Sequence, residues 1–240
     1  MPGIAASLQQ RLEEAMKEKW SYSTLVEMLL TDEIEKRSNK QLTLRLAKSR
    51  LEVTKTLETF DFEFNPKIPV TVVRELASCE FIEKRKNIFL LGESGVGKSH
   101  IAQGICLEAC RREHDVLFYN TQQLFDWIYA GRGDGSQKKR LAYVTKCPLL
   151  LLDDFGLQPL NEVQQSDLYQ LIADRYEKKS TIITSNRDVS EWVGIFSSPL
   201  IGSAAVDRLI HRAVKIEIEG PSYRNEEFKK ACAKTKKRAN

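Results

Sequence analysis

Between Val70 and Tyr223 the chain alternates two hydrophobic rhythms. Asn87–Leu91, Val116–Tyr119, Leu149–Asp153, Thr181–Thr184 and Val214–Ile218 read as strands, those at 87–91, 149–153 and 181–184 as buried ones. Stretches with helical spacing separate them, at Ser99–Glu113, Thr121–Tyr129, Glu162–Glu177 and Ala204–Arg212. This alternation predicts an α/β fold, a five-stranded parallel sheet between helices. Upstream, Leu8, Leu12, Met16, Leu25, Met28 and Leu29 recur at helical spacing among charges, so 1–60 is expected to be a small all-helical domain. Pro66 and Pro69, with Phe60, Phe62 and Phe64 before them, stop that pattern. Residues 61–69 read as a linker whose phenylalanines pack onto the next domain, 70–224. The stretch 225–240 reads as a basic, frayed tail.

With 240 residues, 42% of them hydrophobic, the chain can form one full α/β core and a small appendage. The net charge of +4 comes from 37 basic and 33 acidic residues, so a nucleic-acid surface has to come from local clusters. Two stretches qualify. One is the helical part carrying Arg37, Lys40, Arg45, Lys48, Arg50 and Lys55. The other is Gly131–Arg140, read as a mobile glycine-rich loop with Arg132, Lys138, Lys139 and Arg140. No base-reading motif accompanies them, so sequence-tolerant binding to double-stranded DNA is expected. Five cysteines, Cys79, Cys106, Cys110, Cys147 and Cys232, form no C-x-x-C pair and suggest reduced thiols. Cys106, Cys110 and His114 share a helix face but read as core packing rather than as metal ligands. No signal peptide or membrane-length apolar run is visible, which points to a cytoplasmic protein without a membrane partner.

Gly92-Glu93-Ser94-Gly95-Val96-Gly97-Lys98-Ser99 fits the phosphate-binding P-loop, and its setting between an apolar strand and a helix is the one the motif requires. The glycines let backbone N–H groups converge on an anion, and the helix N-terminus adds its positive end. Gly92 to Ser99 and the following His100 are the candidate nucleotide cradle. Lys98 would meet the β- and γ-phosphates of ATP, and Ser99 would meet Mg²⁺. The run Leu149–Leu152 ends in Asp153 and Asp154. Ligands sit at the carboxyl ends of parallel strands, so Asp153 is expected to hold Mg²⁺ with Ser99. Asp154 is placed to polarise the attacking water. Thr181–Ser185 ends in Asn186, which would orient that water or contact the γ-phosphate. The set matches the AAA+ ATPase arrangement. Asp154-Phe155-Gly156 spells a protein-kinase tripeptide, but no H-R-D loop accompanies it.

The P-loop strand, Leu151-Leu152-Asp153-Asp154-Phe155-Gly156, Asp174-Arg175-Tyr176-Glu177, Thr184-Ser185-Asn186, Glu191-Trp192, Asp207-Arg208-Leu209 and Gly220-Pro221-Ser222-Tyr223-Arg224 follow one another in an order that resembles the IstB-type transposition helper ATPases, relatives of the DnaC-type helicase loaders. Upstream, Thr56-Leu57-Glu58-Thr59-Phe60-Asp61-Phe62 resembles that family's linker. The resemblance implies a homo-oligomer that assembles on DNA with ATP and assists a DDE-type transposase. It also implies a site shared between subunits, with Arg208 as an arginine finger and Arg224 as a sensor arginine. Taken alone, Arg208 could equally be a surface charge, and Arg175, Arg187 and Arg212 are the next candidates for the finger. The chain departs from the wider AAA+ pattern in having Asp154 where Glu is usual and in ending soon after Arg224, which implies a truncated lid. A helicase loader and a small-molecule P-loop kinase are the alternative functions. The kinase would need an arginine-rich lid, and Asn186 and Arg208 argue against it.

Overall fold

A computed structural model describes residues 1–226, 228 and 229. Cys232 and most of the basic tail lie outside the described residues. The chain divides into two compact units, Met1–Ala47 and Lys48–Asn240. The first is made by α1 (Pro2–Glu18) and most of α2 (Tyr22–Ser49). Glu33 on α2 accepts the backbone N–H groups of Gly3 and Ile4 at 2.6 and 3.2 Å, so its carboxylate caps the start of α1. Arg11 adds a two-pronged pair to Asp32, which holds that carboxyl down at about 2. Helix is expected here as far as Phe60, yet it stops at Ser49, and residues 50–69 cross the second unit without regular structure.

In the second unit, α3 (Val70–Ala77) and the short α4 (Glu80–Glu83) precede the sheet. The sheet has five strands: β1 (Ile88–Leu91), β2 (Val116–Asn120), β3 (Leu149–Asp153), β4 (Ser180–Ser185) and β5 (Val214–Glu217). Their order is β2-β3-β4-β1-β5, all parallel, with Leu90 beside Thr184 and Asn120 beside Asp153. The apolar runs form strands because helices cover both faces: β1 is buried at every position, as are the leucines of β3. The covering helices are α5 (Lys98–Arg111), α6 (Thr121–Ala130), α7 (Gln137–Lys146), α8 (Glu162–Arg175) and α9 (Pro199–Ile210). A 3₁₀ segment, Val189–Ile195, carries the fully buried Trp192 between Phe89 and Phe155.

Three expectations change. Gln137–Arg140 is not loop: it opens α7, whose inward face buries Val144. Two bases read there as free for DNA are tied down. Arg132 grips the buried Asp167 at 2.8 Å, and Arg140 pairs with Asp134 at 2.8 Å and donates to Trp127 O. The helix expected over Ala204–Arg212 instead starts at Pro199 and ends at Ile210.

α5 is buried along nearly its whole length, because residues 50–60 lie along its outer side. Gln103 accepts Glu52 N–H at 2.9 Å, and a Cβ on Gly104 would come within 2.7 Å of Leu57. Cys106 and Cys110 face the core, and burial pushes the Cys106 thiol up.

Arg175 closes the far end of the sheet. It is 3% exposed and donates to the carbonyls of Val144, Thr145, Cys147 and Ser180 and to Thr181 Oγ1. Burial lowers its pKa to about 10. This buried brace is not a finger for a neighbouring subunit. Arg175→Ala should cost at least about 3 kcal/mol by orphaning these acceptors. It should lower the thermal midpoint by roughly 10 °C. Circular-dichroism melts of Arg175→Ala and Arg175→Lys check this, with Lys recovering only part of the loss.

Candidate functional site

The carboxyl ends of β1, β3 and β4 open into one cavity of about 540 Å³, within the size range of small-molecule sites. Its floor is the loop from Ser94 to His100. At Gly92, Gly95 and Gly97, φ is +146°, +89° and +100°, conformations that side chains rarely adopt. Close approach is a second reason for Gly97, since a Cβ there would meet the Phe60 ring at 2.7 Å. Lys98 donates to the carbonyls of Gly92 and Glu93 at 2.8 and 2.7 Å. Burial lowers its pKa, against the opposing pull of Asp154 and Asp153.

Ser99 Oγ donates to Asp153 Oδ1 at 2.7 Å, so the two candidate metal ligands already touch. An aspartate and a hydroxyl beside a phosphate cradle suit Mg²⁺, which takes a few oxygen ligands and completes its shell with water and phosphate. Among the described residues no cluster of three or more His, Cys, Asp or Glu side chains could hold a metal. The donor set therefore fits a magnesium–nucleotide complex rather than a metal held by protein alone.

Asp154 follows β3 in the left-handed region, with φ +56°. Its N–H donates to Thr184 Oγ1 at 3.1 Å, and Asn120 Nδ2 donates to its Oδ2 at 3.3 Å. Asn120 also caps α6 by accepting from Gln122 and Gln123 N–H. Although solvent reaches the Asp154 side chain, the surrounding protein raises its pKa, and repulsion from Asp153 adds to this; Lys98, Arg224 and Asn120 offset part of it. Asn186 is exposed into the same cavity. Arg224 stands at its rim, 3.4 Å from Ser94 Oγ.

Of the sequence candidates, Ser94 to His100, Asp153, Asp154, Asn186 and Arg224 line this cavity, and Gly92 and Glu93 support it through Lys98. Arg208 is not among them. Its guanidinium folds onto Ala204 O at 2.7 Å and over the Tyr169 ring, beside a separate small cavity shared with Tyr176 and Leu209. His100 donates through Nε2 to Thr56 O at 2.9 Å and meets Phe60 edge-on, so it anchors the linker to the loop.

One wall of the cavity lies outside the sequence candidates. Phe60, Phe64, Asn65 and Tyr223 line it, with Phe64 and Tyr223 rings 5.0 Å apart and Asn65 bonded to Glu219 O at 2.8 Å. The close spacing of the aromatics is visible in the sequence but by itself signals only packing. Asn120 and Thr184 carried a signal too, each being a polar residue at the end of an apolar run, like Asp153.

A family model for IstB-like ATP binding proteins matches residues 1–231. The chain belongs to this family. A relative, the ATP-binding protein of insertion sequence IS21 in Pseudomonas aeruginosa, is 35% identical across 98% of this chain and 89% of its own length. An insertion-sequence ATP-binding protein of Mycobacterium tuberculosis is 35% identical across 93% of this chain and 90% of its own. Among solved structures, the DnaC helicase loader superposes with a TM-score of 0.55 at 25% identity, over 62% of this chain and 87% of that one. AMPPCP-bound DnaA from Aquifex aeolicus gives 0.61 at 23%, over 78% and 57%, a likeness of fold. This family member is thus an AAA+ ATPase. Among the described residues no helix is long and apolar enough to cross a membrane.

The raised pKa of Asp154 sets a stability test. A carboxyl whose folded pKa lies above its unfolded value binds protons more tightly when folded, so stability falls as pH rises through that interval. Asp154→Asn should therefore melt higher than wild type at neutral pH without nucleotide. The gap should close as pH falls below the ordinary carboxylate range. The same variant should hydrolyse ATP at least about a hundredfold more slowly if Asp154 is the general base. Thermal melts across pH and single-turnover assays measure the two effects.

Proposed function

We propose that this protein binds ATP with Mg²⁺, assembles with further copies on double-stranded DNA, and assists a DDE-type transposase. The observation that carries the reading is the asymmetry of the site. One cavity gathers the phosphate loop, Asp153, Asp154, Asn186 and Arg224, whereas Arg208 sits on the separate α9. A finger that serves a neighbour's nucleotide must lie outside its own pocket. In this reading ATP lays its phosphates along Gly92–Ser99, with Lys98 leaving its loop carbonyls for the β- and γ-phosphates. Ser99 and Asp153 would hold Mg²⁺, whose chemistry there would be to neutralise phosphate charge. Asp154 takes a proton from the attacking water, Asn186 holds that water, and Arg224 covers the γ-phosphate. Phe60, Phe64 and Tyr223 offer apolar surface to the base.

The relatives matched over nearly the whole chain are ATP-binding proteins of insertion sequences, which favours transposition. DnaC matches over a smaller share, which sets the helicase-loader reading second. For DNA contact, α7 supports a different surface from the loop expected. Lys138, Lys139, Tyr143 and Lys146 are exposed on it, with Tyr143 50% exposed. Such groups bind phosphate and sugar rather than read bases.

Two experiments test the proposal. Specific ATPase activity should rise with protein concentration and with duplex DNA. Arg208→Ala should bind ATP yet lose about 10³-fold in turnover, the scale of an arginine finger. Mixing Arg208→Ala with Lys98→Ala should restore part of the activity, because one interface then pairs an intact pocket with an intact arginine. A co-assembled mixture that stays inactive removes Arg208 from that role. Separately, affinity for unrelated duplexes should fall steeply and similarly with salt, and the double variant Lys138→Ala/Lys139→Ala should flatten the slope of log K against log salt by about 2. Fluorescence anisotropy measures this, and an unchanged slope removes α7 from the DNA surface.

A further inference from the structure

At the end of β4 one fully buried hydroxyl touches both members of the acidic pair. Thr184 is 0% exposed. Its Oγ1 donates to Asp153 Oδ1 and accepts the N–H of Asp154 at 3.1 Å. A hydroxyl has one proton to give and lone pairs to receive, so these two bonds use it in opposite senses. Neighbouring groups reinforce the grip. Phe155 N–H donates to Thr184 O at 2.9 Å, and Ser185 Oγ donates to Phe155 O at 2.8 Å. Residues 153–155 are thereby fastened to β4 while the chain turns out of β3 through the left-handed Asp154.

We propose that Thr184 is a positioning residue for the magnesium–nucleotide site, one that sets the orientation of the Asp153 carboxylate and the backbone of Asp154 at once. Ser99 and Thr184 both donate to Asp153 Oδ1, and no hydrogen bond within the protein is formed by Oδ2 among the described residues. The carboxylate is thus fixed in rotation, with one oxygen saturated and the other left for water or metal. Without the Thr184 hydroxyl, Asp153 keeps only Ser99, which the metal itself needs, and the N–H of Asp154 loses its acceptor. Outer partners of this kind are worth about 10–100-fold in metal affinity or activity.

The inference rests on magnesium nucleotide binding at this cavity, so the test reads binding and hydrolysis separately on the full chain. Thr184→Val keeps the branched shape and removes the hydroxyl, Thr184→Ser keeps the hydroxyl and removes the methyl, and Thr184→Ala removes both. Affinity for a fluorescent ATP analogue is titrated in EDTA and across MgCl₂. Thr184→Val is expected to match wild type in EDTA, to need about tenfold more Mg²⁺ for half-maximal tightening, and to lose about tenfold in kcat. Thr184→Ser is expected to behave as wild type. Wild-type Mg²⁺ dependence in a folded Thr184→Val overturns the assignment. So does a raised Mg²⁺ requirement in Thr184→Ser, because the methyl and not the hydroxyl would then carry the effect. If Thr184→Val does not fold, Thr184→Ser against Thr184→Ala decides by the same criterion. Wild-type protein that gains no affinity from Mg²⁺ overturns the nucleotide-site reading itself, which keeps the two failures apart.

Discussion

Parallel strands buried on both faces leave their polar side chains one place to gather, the ends of the strands. Everything that marks this site follows from that constraint. Leu149–Leu152, Ile88–Leu91 and Ile182–Ile183 are closed to water, so Asp153, Asp154, Thr184 and Asn186 collect where the strands stop. Parallel register brings those stops level: Asn120 lies beside Asp153, and Leu91 beside Ser185. The acid pair, the hydroxyl that holds it and the phosphate loop thus face one another without any long-range device beyond strand pairing.

The second shaping element is the irregular stretch after α2. It covers α5, bonds His100 through Thr56 O, lays Phe60 against Gly97 of the P-loop, and ends with Asn65 against Glu219. A helix core-buried on all sides is ordinarily found deep within a large protein. Here it occurs because this strap supplies the missing cover. The strap therefore does more than cover a helix: it forms one wall of the nucleotide cavity.

β1 and β3 were legible because burial on both faces leaves an unbroken apolar signature, whereas β5, exposed at Lys215 and Glu217, shows only an alternation. The P-loop was legible because its glycines answer to a backbone requirement that few other sequences meet. α7 was hidden, since Gly131, Gly133 and Gly135 and a dense run of bases imitate a loop, and its amphipathic stripe is short. The 3₁₀ segment around Trp192 has no period that could announce it. In the site, Asp153 and Asp154 could be read from position alone. Thr184 and Asn120 stand at the ends of apolar runs too, but their roles depend on which strand lies next to which. Arg208 shows the converse: its type and place on α9 were readable, but its present engagement with Ala204 and Tyr169 is a matter of rotamer and packing.

The contact between Asn65 and Glu219 also orders events in time. The two residues are 154 positions apart, and Phe64 meets Tyr223 just beyond them. Contacts of such separation close only after the intervening chain has been ordered. During synthesis, the phosphate loop and both aspartates leave the ribosome long before Tyr223 and Arg224, the last residues to line their cavity. The nucleotide site is therefore among the last parts of this domain to become whole, and a nascent chain stalled before Tyr223 carries the catalytic residues without the enclosure that makes them useful.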